Sequence, residues 1–213
     1  MTADSNPQLQ FWRGSFGDDY IDRNPLSDSM QNARIAMWRR ILSALENKPL
    51  ESILEVGANI GINLAALHEL TSATLYALEP NEKARTRLIE NAVVPAERAL
   101  GGSADSIALD DGAVDLVFTS GVLIHIAPEN LAAACREMYR VARRYIACVE
   151  YFSSQPQEVV YRGHAGRLFK RDFGGFWLDQ FPGLRVVDYG FFWRRATGLD
   201  DLTWWLFEKA PAA

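Results

Sequence analysis

The amino-acid sequence predicts an α/β fold, in which helices cover both faces of a doubly wound, mostly parallel sheet. Strand patterns alternate with helical patterns over residues 53–150, and this alternation is typical of parallel sheets. The apolar, β-forming residues 53–56 stop at Gly57, and a helical pattern begins near Gly61, which indicates a strand, a tight turn and a helix N-terminus. Residues 194–201, between the last two predicted strands, allow an antiparallel hairpin but are too few for a parallel crossover.

The other elements follow from apolar periodicity. A helix is predicted over residues 30–46, where apolar side chains recur at helical spacing. Residues 1–10 are expected to be disordered, and residues 153–170 are expected to form a basic, aromatic loop. The remaining predicted helices are 62–70, 82–91, 128–143 and 172–181, and the remaining predicted strands are 73–78, 98–100, 114–120, 145–150, 184–193 and 202–208.

Composition restricts the class of protein. A chain of 213 residues, 48% of them hydrophobic, suits one domain with a sizeable core. The formal net charge of -5 gives no general attraction to nucleic acid or anionic membranes, and no apolar segment reaches the roughly 18 residues that span a bilayer. The N-terminus lacks a signal-peptide layout. Cys135 and Cys148 are expected to be buried free thiols, which fits the cytoplasm, and the three histidines lie in unrelated places, which indicates no metal site.

The loop after the first strand narrows the choice of ligand. A dinucleotide site needs Gly-x-Gly-x-x-Gly, because its middle glycine lets the backbone approach a pyrophosphate. Here Asn59 stands between Gly57 and Gly61; it tolerates the left-handed turn but crowds a diphosphate. Glu55 places a carboxylate beside the ligand and favours an ammonium group, and Glu79, which ends the second strand, can accept both ribose hydroxyls. A ribose and an ammonium without phosphate indicate S-adenosylmethionine.

Several segments resemble known motifs. Those resembling class I S-adenosylmethionine-dependent methyltransferases are Glu55-x-Gly57-x-x-x-Gly61, Glu79-Pro80-Asn81, Gly102-Ser103-Ala104 and Leu116-Val117-Phe118-x-x-Gly121-Val122-Leu123-Ile124-His125. From residue 11 to residue 191 the chain more closely resembles the pseudaminic acid biosynthesis-associated methylases, for example in Phe11-Trp12-x-Gly14-x-Phe16-Gly17 and Leu168-Phe169-Lys170-Arg171-Asp172-Phe173. The resemblance implies a Rossmann-like, seven-stranded sheet with an antiparallel last strand, in agreement with the predicted hairpin.

The resemblance also implies one methyltransferase domain over residues 1–213, with S-adenosyl-L-methionine as cofactor and S-adenosyl-L-homocysteine as product. Its expected parts are an N-terminal cap (1–48), a cofactor-binding core (51–151), an acceptor loop and helix (152–183) and a C-terminal hairpin (184–209). The expected cofactor-binding residues are Tyr20, Arg23, Glu55, Gly57, Asn59, Gly61, Glu79, Pro80, Ser103, Ala104, Ser120 and Gly121.

Three of these residues have open alternatives. Tyr20 and Arg23 fit core packing as well as an N-terminal segment that folds over the cofactor and binds the methionine carboxylate. Ser103 stands where many relatives carry an acidic residue that contacts adenine, so Asp105 or backbone groups are expected to contact the base.

The catalytic candidates are His125, Glu150 and His164. Methyl transfer to a neutral hydroxyl or amine needs a general base, whereas a carboxylate or phosphate acceptor does not. His125 follows the fourth strand at the predicted cleft, and is either a base or a core or helix-capping histidine. Glu150 ends the fifth strand at the same edge and is either catalytic or salt-bridged. His164, in the predicted loop, is the second candidate base.

The acceptor is expected to be a small anionic molecule. Residues 162–171 carry five basic groups in a net acidic chain, and arginine forks match carboxylate and phosphate geometry; a solvated loop is the alternative. A nonulosonic (pseudaminic acid-type) sugar acid or its nucleotide-activated form would fit, with O- or N-methylation. Nucleic acid is disfavoured, because five basic groups make a small footprint. The expected acceptor-binding residues are Tyr161, Arg162, His164, Lys170 and Arg171.

Two other functions compete with methyl transfer. A nicotinamide-dependent oxidoreductase is disfavoured by Asn59 and by the absence of a Tyr-x-x-x-Lys pair after the fourth strand. A non-catalytic module that kept the cofactor pocket for regulation would bind cofactor without turnover. The oligomeric state is open.

Overall fold

The computed structural model describes residues 6–23, 27–45 and 48–210 of the chain. The described helices are α1 (Pro7–Arg13), α2 (Ser15–Arg23), α3 (Asp28–Ser43), α4 (Ile62–His68), α5 (Glu82–Glu90), α6 (Pro128–Val141), α7 (Phe173–Gln180) and α8 (Arg194–Thr197). The described strands are β1 (Ser52–Val56), β2 (Thr74–Leu78), β3 (Ala99–Leu100), β4 (Val114–Ser120), β5 (Ala142–Glu150), β6 (Gln157–Tyr161), β7 (His164–Lys170), β8 (Leu184–Phe192) and β9 (Leu202–Lys209).

Seven strands form the main sheet, in the order β3-β2-β1-β4-β5-β9-β8. Pairing is parallel from β3 to β5, and β9 runs antiparallel to both β5 and β8. The predicted seven-stranded α/β sheet with an antiparallel last strand is therefore confirmed. The short link between β8 and β9 contains the one-turn helix α8 and Gly198, which has a positive φ. The chain therefore turns back, and β9 pairs antiparallel with β8.

Two apolar layers hold helices against the sheet. On one face, Trp38 and Ile41 of α3 pack with Leu64 of α4 and Leu88 of α5. On the other face, α6 and α7 contribute Cys135, Met138 and Trp177. Because both faces are covered, the central strands β4 and β5 are apolar and buried for most of their length. Cys135 and Cys148 are both buried free thiols.

Two predictions about local structure were wrong. Residues 7–10, expected to be disordered, begin helix α1, because Asn6 accepts the backbone N–H groups of Gln8 and Leu9 and Pro7 suits the first helical position. Residues 1–5 lie outside the described part. The expected loop at 153–170 is largely the β6–β7 hairpin, whose two-residue turn places Arg162 and Gly163 at φ of 50° and 86°. Such turns usually contain Asn-Gly or Asp-Gly, so Arg162 at this position gave no sequence signal for a hairpin.

The strand order reverses between β1 and β4. At such a switch point the connections leave in opposite directions, and a crevice opens at the carboxyl ends of the strands. The loops that follow β1, β2 and β4 all meet there.

Candidate active site

A cavity of about 580 Å³ lies at the carboxyl ends of β1, β2 and β4, which is a usual size for a small-molecule site. Helices α1, α2 and α3 and the loop before β9 complete its wall. Eleven residues singled out from the sequence line it: Tyr20, Glu55, Gly57, Asn59, Glu79, Pro80, Ser103, Ala104, Ser120, Gly121 and His125.

The loop after β1 bends sharply over the end of β2. The backbone N–H groups of Gly57 and Ala58 donate to the carbonyl of Leu78 at 2.7 and 3.1 Å. Gly57 has a φ of 78°, and a Cβ there would lie 2.6 Å from the Val122 side chain, so only glycine fits. Asn59 adopts a φ of 48°, the left-handed conformation that asparagine tolerates.

The Glu79 carboxylate is hydrogen-bonded to the backbone of the loops that follow β1 and β2. One carboxylate oxygen accepts the N–H of Asn59 at 2.7 Å and the other accepts that of Asn81 at 2.8 Å. Burial raises the pKa of Glu79 to about 7, and these two hydrogen bonds oppose the rise. A carboxylate has about four acceptor positions, so Glu79 keeps capacity for two ribose hydroxyls.

Glu55 is oriented by a buried chain of hydrogen bonds. Asn63 donates its side-chain N–H to Glu55 Oε1 at 2.7 Å, and its own Oδ1 accepts Nε1–H of Trp38 at 3.2 Å. Oε2 of Glu55 has no hydrogen-bond partner among the described residues. Burial raises the pKa of Glu55 to about 8, while Asn63 and Arg34 oppose the rise.

Arg34, on α3, is the cation of this cavity, and it was not singled out from the sequence. Its Nη1 donates to Ser120 Oγ at 3.4 Å, and its Nε has no partner among the described residues. Burial lowers the pKa of Arg34, and Glu55 opposes that shift. A signal was present in the sequence: Arg34 precedes Trp38 and Ile41 by four and seven residues, so a charged side chain occupies the buried stripe of α3.

These groups fit S-adenosylmethionine. A guanidinium with an unpaired donor and a carboxyl group with an unpaired oxygen, both lining one cavity, complement the carboxylate and ammonium of the methionine part. Glu79 lies at the neighbouring strand end, where the ribose would follow. Ser103, Ala104 and Asp105 line the cavity beyond it, at the end where the adenine would bind.

The structure places Arg23 and Gly61 away from the cavity lining. The exposed Arg23 guanidinium stacks over the Phe16 ring at 5.1 Å and donates to the Phe16 carbonyl at 3.4 Å, whereas Arg34 lines the cavity. Gly61 is the left-handed N-cap of α4, with Val93 and Leu88 close to its Cα. Its role is to shape the turn.

His125 ends a one-turn 3-10 helix after β4 and lines the cavity. Its Nδ1 lies 2.7 Å from the carbonyl oxygen of Arg167. Because a carbonyl can only accept, Nδ1 carries the proton and Nε2 of the neutral ring is free of one. Burial lowers the pKa of His125 to about 4, so the ring is neutral at physiological pH. The rings of Trp12 and Tyr161 pack on it at 4.7 and 4.9 Å.

Glu150 does not line the cavity. Its fully buried carboxyl group accepts backbone N–H groups of Val122, Leu123 and Ile124 at 3.1–3.4 Å, neither touching the cavity nor forming a salt bridge. Burial raises its pKa to about 7, against these hydrogen bonds. Glu150 therefore holds the turn that carries His125.

The basic residues of the β6–β7 hairpin do not line the cavity. His164 is exposed and packs on Phe11 and Phe16. Three side chains stack on aromatic rings instead: Arg162 on Tyr161, Lys170 on Tyr151 and Arg171 on Phe176. Burial raises the pKa of Tyr20, which lines the cavity, and the charges of Arg34 and Arg162 oppose the rise.

Arg167 of β7 ties the hairpin to the N-terminal helices. Its guanidinium donates to Gln8 Oε1 at 2.6 Å and lies 4.6 Å from the centre of the Phe11 ring. Gln8 in turn donates to the carbonyl of Gly166 at 2.6 Å. These bonds join segments about 159 residues apart in sequence, so sequence periodicity could not have found them.

Trp12 and Asp200 also line the cavity and were not singled out as site residues. Asp200 accepts the Tyr151 hydroxyl at 2.6 Å. Among the described residues, no three His, Cys, Asp or Glu side chains are grouped as metal ligands, and no helix is both long and apolar enough to cross a membrane.

The sheet order, the glycine loop and the two strand-end carboxylates match the Rossmann-like methyltransferase fold. Residues 54–145 match the family profile described as Methyltransferase domain, which covers β1 to β5. A curated relative from Streptomyces fradiae, an uncharacterized 37.1 kDa protein in transposon TN4556, is 30% identical over 134 residues. That match covers 60% of this chain and 37% of the relative, so the chain spans little more than a third of the relative's length.

Solved structures share the fold. The 1,6-didemethyltoxoflavin-N1-methyltransferase of Burkholderia thailandensis, bound to 1,6-didemethyltoxoflavin and S-adenosylhomocysteine, superimposes with a TM-score of 0.69 at 17% identity, over 93% of this chain and 87% of that one. Magnesium protoporphyrin IX methyltransferase of Synechocystis, bound to S-adenosylmethionine, has a TM-score of 0.66 at 13% identity, over 97% and 99%. A methyltransferase of Leishmania major has a TM-score of 0.71 at 18% identity, over 95% and 87%.

Proposed function

We propose that this chain transfers a methyl group from S-adenosylmethionine to a hydroxyl or amine of a small acceptor, with His125 as the general base. The observation that carries the proposal is the hydrogen bond from His125 Nδ1 to the Arg167 carbonyl, which leaves Nε2 unprotonated on a ring that lines the cavity.

The bound cofactor supplies an activated methyl group on sulfur, so the protein mainly needs to align the acceptor in a dry site. As the acceptor's lone pair forms the new bond to carbon, the sulfur–carbon bond breaks and S-adenosylhomocysteine remains. The acceptor proton passes to His125 Nε2. A base with a pKa of about 4 is weak, which suits a hydroxyl acceptor, because its proton becomes strongly acidic as the methyl group is transferred.

The finer proposal is an anionic, sugar-derived acceptor of the nonulosonic acid type or its nucleotide-activated form, in the cytoplasm. It is supported by the resemblance to the pseudaminic acid-associated methylases. The hairpin supports it only through Arg162, whose charge opposes the burial-driven rise in the pKa of Tyr20 at the cavity, since Tyr161, His164, Lys170 and Arg171 do not line it. In this proposal Arg162 meets the acceptor's anionic group at the cavity mouth.

The first experiment is calorimetry with S-adenosylmethionine and S-adenosylhomocysteine, followed by incubation of cell metabolites with methyl-labelled cofactor and mass spectrometry. We expect binding of both ligands and label in one acidic metabolite. No binding at millimolar concentrations would overturn the proposal, and a fluorescence response to NADH instead would favour the oxidoreductase. Binding without label transfer would favour the non-catalytic module.

The second experiment replaces His125 once an acceptor is known. His125→Asn keeps an N–H that can reach the Arg167 carbonyl but removes Nε2, and we expect kcat to fall about 10²- to 10⁴-fold. Cofactor affinity should be unchanged. A kcat within threefold of wild type would mean that the acceptor needs no base, as for a carboxylate.

A further inference from the structure

Helices α1 and α2, residues 6–23, cover one side of the cavity, and we call this segment the lid. Six lid residues line the cavity: Asn6, Gln8, Leu9, Trp12, Gly17 and Tyr20. Besides the ring contacts of Trp12 with His125 and Tyr161, the lid has hydrogen-bonded attachments near each end. Gln8 and Phe11 bind the hairpin through Arg167, and the other end binds the loop that follows Glu79.

The second attachment is made by Asn81. Its side-chain N–H₂ donates to the carbonyl of Trp12 at 3.0 Å and to Oδ1 of Asp18 at 2.9 Å. Asn81 is only 3% exposed, so solvent does not compete for these bonds. The nearby pair between Lys83 and Asp22 is exposed and contributes little.

Asn81 uses both of its side-chain donors and its side-chain acceptor. Oδ1 accepts the N–H of Ala84 at 2.8 Å and so caps helix α5, while its backbone N–H binds Glu79. The partners fix the amide's orientation, because Ala84 can only donate and Trp12 offers a carbonyl. Aspartate could cap the helix equally well but could donate nothing to the lid.

Gly17 makes the close approach possible. A Cβ at this position would overlap the Trp12 carbonyl oxygen and lie 2.9 Å from Asn81 Nδ2. Glycine is unfavourable inside a helix, so its presence within α2 fits a contact that excludes any side chain.

We propose that Asn81 is a positioning residue that holds the lid closed over the cofactor and thereby sets how fast cofactor and product leave. The inference rests on the proposed binding of S-adenosylmethionine in this cavity. The side chain of Asn81 binds the lid and caps α5, and its backbone N–H binds Glu79. A single residue therefore fixes the position of the lid relative to the proposed ribose site.

The test compares Asn81→Asp with wild type. The variant keeps the α5 cap, removes both donors and sets a carboxylate against Asp18. We expect S-adenosylhomocysteine to dissociate at least tenfold faster in stopped-flow chase experiments. Hydrogen exchange of the α1 and α2 amides should be at least tenfold faster even without ligand. Lys83→Ala, which breaks the exposed pair to Asp22 and the 3.5 Å contact with the Asp18 carbonyl, is the matched control and should change either rate less than twofold.

A second substitution checks the contact itself. Asp18→Asn in the Asn81→Asp background restores one side-chain hydrogen bond with donor and acceptor exchanged. Both rates should be at least threefold slower in this double variant than in Asn81→Asp. If Asn81→Asp does not fold, Asn81→Ser keeps a cap and loses the lid donors without adding charge. Dissociation and lid exchange within twofold of wild type in a folded Asn81 variant would overturn the inference. If wild type binds no S-adenosylhomocysteine, the proposed function fails, and ligand-free exchange alone decides the lid contact.

Discussion

Replacement of Arg34 by methionine should weaken binding of the amino-acid part of the cofactor. Methionine keeps the apolar length of the side chain against Met37 but removes the donor that has no partner among the described residues. One hydrogen bond to a charged group is worth about 1.5–3 kcal/mol, so the Kd of S-adenosylhomocysteine should rise roughly 10- to 150-fold. Arg34→Lys keeps the positive charge but not the forked guanidinium, so it should weaken binding less than Arg34→Met does.

Calorimetry with two ligands isolates the effect. S-adenosylhomocysteine carries the carboxylate, whereas 5′-methylthioadenosine has the same nucleoside without the amino acid. We expect Arg34→Met to weaken the first ligand and to leave the Kd of the second within twofold. Arg23→Ala is the control, because Arg23 stacks outside on Phe16 and should change neither Kd.

Equal weakening of both ligands would show that Arg34 supports the fold of the site and does not bind the carboxylate. A loss confined to Arg23→Ala would refute the placement of the methionine part and restore the assignment made from the sequence. Matching thermal unfolding of the variants is needed for either conclusion.

Two further predictions concern buried carboxyl groups. Glu55, with a pKa raised to about 8, is protonated in the free protein at neutral pH, and an ammonium ligand favours its ionised form. Binding should therefore release a proton, affinity should rise from pH 6 to pH 8, and Glu55→Gln should abolish the proton release measured by calorimetry in two buffers. Glu150→Gln should lower the free energy of unfolding by about 1–3 kcal/mol, because an amide cannot accept three backbone N–H groups as a carboxylate does. Urea unfolding measures the loss, and unchanged stability would contradict the role of Glu150 in the turn.

Sequence periodicity predicted most of the fold because each signal was local. Strand β4 was predicted with its observed bounds, since its buried apolar residues follow the turn at residues 110–112 and end before Gly121. The β6–β7 hairpin was missed because Arg162 occupies a turn position with positive φ where asparagine or aspartate is usual. Helix α1 was missed because its few apolar residues lie in a short polar segment.

The cavity was only partly predictable. Glu55, Glu79 and Ser120 could be found because they end parallel strands, and the carboxyl ends of such strands meet at one edge. Arg34 and Asn81 bind partners 86 and 69 residues away in sequence, and no local pattern encodes such distances. The basic residues of the hairpin were expected at the acceptor because their spacing is visible, whereas the aromatic rings on which they stack are not.

Arg167 binds two parts of the site through different atoms. Its carbonyl oxygen sets which nitrogen of His125 carries the proton, and its guanidinium binds the lid through Gln8. A shift of the β7 backbone therefore disturbs the histidine and the lid together, whereas a change of the side chain alone disturbs only the lid. In the proposed mechanism, the base and the lid therefore depend on one strand, β7.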